Sequence, residues 1–286
     1  MTKLSLGVCI LFFEKLDQTI ECIESFYSEH CNLYILNNGS QALAFEKLKS
    51  KFSHIKNIIF FHSDENLGCP GGRSFLIKST NEDWLVFPDS DITVDPANWI
   101  DILQREIGDK PAIEVFIPRL FNVHENSFAA LKKLELIESN IVESIPLAGE
   151  NINWFPGGAS FIRRSLFDEV GVYDPKLFCF EDYEMGIRML VKKRPIRMSF
   201  IEDIKFIHDH KYQKTTRDKK AVLERYNSKR LADSLEYLSH KYSVFFDHNW
   251  QYWTNAQVNL MTKSKKRKFV ERILAKLIKT LKYAKA

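Results

Sequence analysis

The chain has no apolar run near the ~18 to 20 residues that a membrane span requires. Its opening, Met1-Thr2-Lys3-Leu4, leads into a strand-like segment without a small-residue cleavage site. Neither a spanning segment nor secretion is expected. Cysteine is scarce. Cys9, Cys22, Cys31, Cys69 and Cys179 are odd in number and contain no C-x-x-C pair, which argues against a disulfide framework and a zinc site and fits a reducing cytoplasm. A net positive charge is missing from the body of the chain. Residues 263–286 carry ten Lys/Arg against one acid, Glu271, and the other 262 residues carry 31 against 36. A nucleic-acid-binding domain would be basic across its body, so no nucleic-acid partner is expected. A lysine-bearing glycine loop near the N-terminus is also absent, which counts against a sugar nucleotidyltransferase.

What the chain does have is enough apolar material, 45% of 286 residues, for one large α/β core. Leu4 to Phe13 is an apolar run of strand type, and Asp17 to Glu29 repeats apolar residues at helical spacing. A strand over Leu33 to Leu36, a helix over Ala42 to Phe52, a strand over Asn57 to His62 and a helix running to Thr80 follow. This β-α alternation predicts a mainly parallel sheet with helices on both faces. Trp84-Leu85-Val86-Phe87 then reads as a buried strand ending in Asp89-Ser90-Asp91. In open α/β sheets the carboxyl ends of strands face the ligand crevice, and two neighbouring carboxylates suit Mg²⁺ or Mn²⁺ bound with substrate phosphates. A plainer account makes this stretch a helix start, with Asp95 as N-cap and Pro96 at the first helical position.

Two glycine-bearing turns precede these acids. Asn37-Asn38-Gly39-Ser40 ends the second strand, and Asn66-Leu67-Gly68-Cys69-Pro70-Gly71-Gly72-Arg73 forms a loop that opens a helix after Pro70, offering N–H groups to an anion. Further on, helix over Trp99 to Ile107 and strand over Ile113 to Arg119 are expected. Leu131, Leu134, Ile137 and Ile141 give residues 121–152 a loose helical pattern. Gly157 and Gly158 allow a ligand to approach backbone closely, and Ser165 is expected to cap a short helix closed by Gly171. Phe180-Glu181-Asp182-Tyr183-Glu184 places acids in the first turn of a helix. A strand over Ile196 to Ile207 leads to His208-Asp209-His210, and either histidine can complete a metal site. A helix is expected over Asp218 to Tyr242. The aromatic-rich residues 244–260 suit core packing or an oligomer surface.

The ordered set Asn37-Asn38-Gly39-Ser40, Asn66 to Arg73, Asp89-Ser90-Asp91 and Phe180-Glu181-Asp182 resembles family 2 glycosyltransferases, which have the GT-A fold and invert the anomeric centre of a nucleotide sugar. The resemblance covers about the first 210 residues. It implies that Asn37, Asn38, Asn66, Gly68, Gly72, Arg73, Asp89, Ser90, Gly157 and Gly158 hold the nucleotide sugar, a UDP-sugar. It further implies that Asp91, Asp89 and His208 or His210 hold Mn²⁺ or Mg²⁺, and that Asp182, with Glu181 beside it, carries the catalytic base. The family's usual first residue in the "DNGS" turn is an acid, and Asn37 stands there. The implied organisation is a catalytic domain over 1–215, divided near residue 92 into a nucleotide-sugar half and an acceptor half, then a helical extension over 216–262. Residues 263–286 follow as a basic amphipathic helix, with Phe269, Ile273, Leu277 and Leu281 on one stripe, suited to an anionic membrane surface. The expected setting is the cytoplasmic face of a membrane, with a glycan or lipid-linked acceptor. A protein that binds nucleotide sugar without turnover is the alternative.

Overall fold

The computed structural model describes residues 4–147, 152–209, 223–224 and 227–246. Strands β1 (Leu6–Phe12), β2 (Asn32–Asn38), β3 (Ile58–Ser63) and β4 (Trp84–Val86) alternate with helices α1 (Leu16–Phe26), α2 (Ala42–Phe52) and α3 (Gly68–Lys78). The four strands run parallel in the order β3-β2-β1-β4. Both faces of a parallel sheet are covered by its crossover helices, which is why β1 reads as the nearly uniform apolar run LGVCILF and is buried almost throughout.

Beyond β4 the sheet becomes mixed. Strand β5 (Ile92–Asp95), helix α4 (Trp99–Asp109), β6 (Val115–Asn122), β10 (Phe161–Arg163) and β11 (Met198–His208) complete the order β4-β10-β6-β11-β5, with β10 antiparallel to both neighbours and β5 antiparallel to β11. A short strand β7 (Ser127–Phe128) pairs with the end of β6. Two apolar layers lie on the sheet's two faces. One is built on Phe12, Phe26, Trp99 and Phe206, the other on Leu85, Phe87, Phe167 and Tyr173. Phe26 meets Trp99 and Phe206 edge-on at centroid distances of 5.5 and 5.2 Å, a favoured aromatic geometry.

Residues 121–152 depart from the helical expectation. Residues 133–144 form a hairpin of β8 (Lys133–Ile137) and β9 (Asn140–Ser144), joined at Glu138-Ser139, both in the left-handed region at φ 47° and 68°. Two consecutive positive φ values are the backbone of the tight turn whose twist matches a hairpin. Glu-Ser is an uncommon occupant, so the turn is not announced, and Leu134 and Ile141 fall at helical spacing only because both face the same apolar layer. Helix α5 (Arg164–Val170) follows β10 directly. Arg163 is its cap residue and no side chain bonds its open amides, so Ser165 lies inside the helix and caps nothing. Asp95 pairs with Lys205 in the sheet and is no N-cap either. Helix α6 (Glu181–Val191), helix α7 (Ser228–Tyr242) and strand β12 (Phe245–Phe246), which pairs with β9, close a third apolar cluster around Trp154, Ile187, Leu231 and Leu238. Buried Glu184 of α6 fastens this layer. It pairs with Arg188 at 2.5 Å and Lys241 at 2.9 Å and accepts the Tyr242 hydroxyl, while Arg188 donates to the carbonyls of Val170, Gly171 and Val172. Among the described residues no helix is long and apolar enough to cross a membrane. His210, most of the aromatic-rich segment and the basic tail lie outside the described residues.

Candidate active site

The carboxyl ends of β1, β2 and β4 lie on one edge of the sheet, where Phe12 pairs with Asn37 and Val8 with Val86. Asp89, Ser90 and Asp91 occupy the turn between β4 and β5. Strand β11 brings His208 opposite Ile92, and the Asp209 amide donates to the Asp91 carbonyl at 3.1 Å. Register therefore sets His208 Nε2 3.3 Å from Asp91 Oδ1. Ligand atoms of Asp89, Asp91 and His208 lie within 4.8 Å of one another. Two carboxylates and an imidazole form a hard oxygen and nitrogen set that fits a divalent cation. On the far side of its ring, His208 Nδ1 is 3.3 Å from Asn122 Oδ1, an outer contact of the kind that fixes a ligand histidine's tautomer.

Arg73 connects this end of the cleft to α6. It is 3% exposed; Nη2 donates to Asp89 at 2.9 Å and Nη1 donates to Glu181. Burial opposes its charge, and the Glu181 and Asp89 carboxylates outweigh it, so its pKa lies above the ordinary value. The paired glycines are what allow this convergence. A Cβ on Gly157 would fall 2.7 Å from Arg73 Nη1 and 3.5 Å from Asp182 Cβ, and one on Gly158 would fall 3.0 Å from Asp89 Cγ. Asp182 thus shares a wall with the Arg73, Asp89 and Glu181 cluster. Phe180, in the left-handed region at φ 68°, turns the chain into α6 and aims these acids. Burial and the adjacent Glu181 carboxylate push Asp182 up to about 7.

The amide residues brace the turns. Fully buried Asn37 accepts from the Ser40 amide at 2.9 Å and lies 2.9 Å from His62 Nδ1. Asn38 donates to Asn66 and to the Gly68 carbonyl and accepts from the Leu67 amide at 3.0 Å. Helix α3 starts at Gly68, two residues ahead of Pro70, so the glycine-rich stretch is mostly the helix's first turns rather than a loop. A Cβ on Gly68 would fall 2.5 Å from the Phe178 carbonyl, so glycine lets this turn dock on the segment entering α6. Gly72 packs against Leu11, and Ser90 is half-buried between the two acids. A cavity of about 590 Å³ beside the Asn66 turn is lined by Leu67, Phe75, Lys78, Phe178 and Arg230 and reaches none of the four acids.

Three polar residues enter the site without having been anticipated from the sequence. Lys15, ahead of α1, lies 2.5 Å from Asp91 Oδ2. Asn122 faces His208. Lys132 donates to the Tyr183 hydroxyl at 2.6 Å and pairs with Glu143 at 2.9 Å, tying the hairpin to α6 next to Asp182. Only for Lys15 was there a usable sign, a lysine at the carboxyl end of the first parallel strand.

Among solved structures, S. aureus TarS 1–349 is 13% identical, with a TM-score of 0.57 over 81% of this chain and 66% of that one. GalNAc-T7 crystallised with UDP, GalNAc and Mn²⁺ is 14% identical, with a TM-score of 0.58 over 87% of this chain and 56% of that one. TarS 1–349 in complex with UDP-GlcNAc is 12% identical, with a TM-score of 0.57 over 90% of this chain and 71% of that one. At these identities the likeness shows the fold, which is GT-A. An uncharacterized protein of Haemophilus influenzae is 27% identical over 114 residues, 39% of this chain and 60% of that protein. This chain thus spans about 60% of that relative's length. The sequence model of glycosyl transferase family 2 matches residues 8–171, more than half of the chain, and the protein belongs to that family.

Proposed function

We propose that this protein transfers a sugar from a nucleoside diphosphate sugar, UDP-linked, to a hydroxyl of a glycan or lipid-linked acceptor, with inversion, in the synthesis of a surface polysaccharide. The observation that carries this reading is the Asp89-Arg73-Glu181 bridge, which joins the Asp91 and His208 end of the cleft to Asp182. UDP and UDP-GlcNAc bound in the solved relatives support the donor class. Asp89, Asp91 and His208 would hold Mn²⁺ or Mg²⁺, which supplies positive charge to a leaving diphosphate when bound. Arg73 keeps Asp89 and Glu181 fixed, so that cleft needs little reorganisation during reaction. Asp182 accepts the proton of the attacking hydroxyl as the new glycosidic bond forms, and an acid pushed up to about 7 is near the optimum for a base at neutral pH. The inverting course needs no covalent intermediate.

The hairpin β8–β9 and Trp154 form the acceptor side by this reading, and the tail over 263–286 rests on the cytoplasmic face of an anionic membrane. The test is Asp182→Asn. Transfer should fall by at least ~10²-fold, the contribution of a general base, while UDP-sugar binding by calorimetry is retained. Near-normal turnover would remove Asp182 from this role, and retained binding with no transfer in wild type for any acceptor would favour a binding protein.

A further inference from the structure

The Asp-Ser-Asp turn carries one fixed cation on each acid, and the two differ in kind. Arg73 on Asp89 is locked between two carboxylates and is almost wholly buried. Lys15 on Asp91 stands on a flexible stem whose side chain is 22% exposed, against 1% for Asp91. Its backbone is nevertheless pinned. Glu14 takes a left-handed φ of 65° and its amide donates to the Ser40 hydroxyl at 2.9 Å, and the Lys15 carbonyl accepts both the Thr19 amide and its hydroxyl at 2.9 and 2.7 Å. The ammonium is therefore aimed from a rigid base at Asp91 Oδ2, 2.5 Å away, while the other oxygen of the same carboxylate faces His208.

We propose that Lys15 is a tethered counter-cation of the donor site. It balances Asp91 when no divalent ion is bound and is displaced from that carboxylate when one enters, and in either state it offers its charge to the diphosphate of the donor. A lysine ammonium is a compact point charge on four rotatable carbons, suited to swinging between a carboxylate and a phosphate over a few ångströms. Two cations drawn to one buried carboxylate disfavour each other, so Lys15 lowers the affinity for the divalent ion and raises the affinity for nucleotide in its absence. This inference rests on the donor site proposed above and adds a specific residue to it.

The experiment compares wild type with Lys15→Met and Lys15→Arg, each checked for a native thermal transition, with Lys15→Gln replacing the methionine variant should that one not fold. Mn²⁺ alone is titrated and the free ion read by electron paramagnetic resonance. UDP binding in EDTA is measured by calorimetry. Lys15→Met should bind Mn²⁺ about tenfold more tightly and metal-free UDP about tenfold more weakly, the size of a single coupled charge, and Lys15→Arg should stay within about threefold of wild type in both. An unchanged value in either arm overturns the proposal, as does wild-type protein that binds UDP only with Mn²⁺. Failure of every protein to bind UDP under both conditions would instead refute the donor site itself, and Lys15 with it.

Discussion

Asp182 should make the protein less stable at the same pH values at which it makes the protein active. In an unfolded chain its carboxyl titrates near ~3.9; in the cleft, burial and Glu181 push it up to about 7. A raised acid favours folding while it is protonated in both states, so its stabilising effect is complete below the unfolded value, is lost progressively as pH rises from the unfolded value toward the folded one, and is gone above the folded one. A shift of roughly three units corresponds to ~4 kcal/mol, and partial solvent access and local relaxation reduce this to about 2 kcal/mol. Replacing the carboxylate with Asn removes the titration. Asp182→Asn should therefore match wild type near about pH 4 and exceed it by about 2 kcal/mol near about pH 8, on the order of 3 °C in Tm for a chain of this size. The assay is differential scanning calorimetry of both proteins across that range, paired with kcat/KM of wild type. The wild-type rate should climb through an apparent pKa near about 7, as the base loses its proton, at the upper end of the range, from about pH 4 to about pH 7, over which the variant gains its stability margin. A Tm difference that does not change with pH refutes the burial argument, and an acid limb centred near ~4 refutes the assignment of the base.

His208→Ala should weaken Mn²⁺ binding by about 10- to 100-fold with the far-ultraviolet circular dichroism unchanged, and Asn122→Ala should weaken it in the same direction by loosening the imidazole. Mn²⁺ affinity equal to wild type in His208→Ala would detach His208 from the cation site. Gly157→Ala should drive the Arg73 guanidinium from its place, because the new methyl would lie 2.7 Å from Nη1, and kcat/KM should fall by more than about tenfold; wild-type kinetics would mean that this contact relaxes freely. Removal of residues 263–286 should abolish sedimentation with anionic vesicles while transfer to a soluble acceptor analogue continues, and persistent sedimentation would place the membrane contact elsewhere.

The parallel half of the fold is readable from local pattern alone. An unbroken apolar run of seven residues is too short for a typical helix and fits a strand covered on both faces, and helical periodicity over residues 42–52 coincides with α2. The hairpin escapes because its turn residues are atypical and its few buried positions mimic a helix. The start of α3 is misread because glycines, which favour turns locally, serve here to let Leu11 and Phe178 approach a helix.

What the sequence by itself determines is the set of parts: acids at the end of an apolar strand, acids in the first turn of a later helix, and glycines before β10, in the order of a known family. Which parts meet is decided only in three dimensions. The β5–β11 register brings His208 to Asp91, the αL turn at Phe180 aims Glu181 and Asp182, and buried Arg73 joins residues 108 positions apart. No local pattern encodes these encounters, because each depends on sheet order and on the absence of a Cβ at Gly157 and Gly158. Lys15 stands between the two cases: its place after the first strand is visible in the sequence, but its ion pair with Asp91 forms only because the fold sets the start of α1 beside the β4–β5 turn.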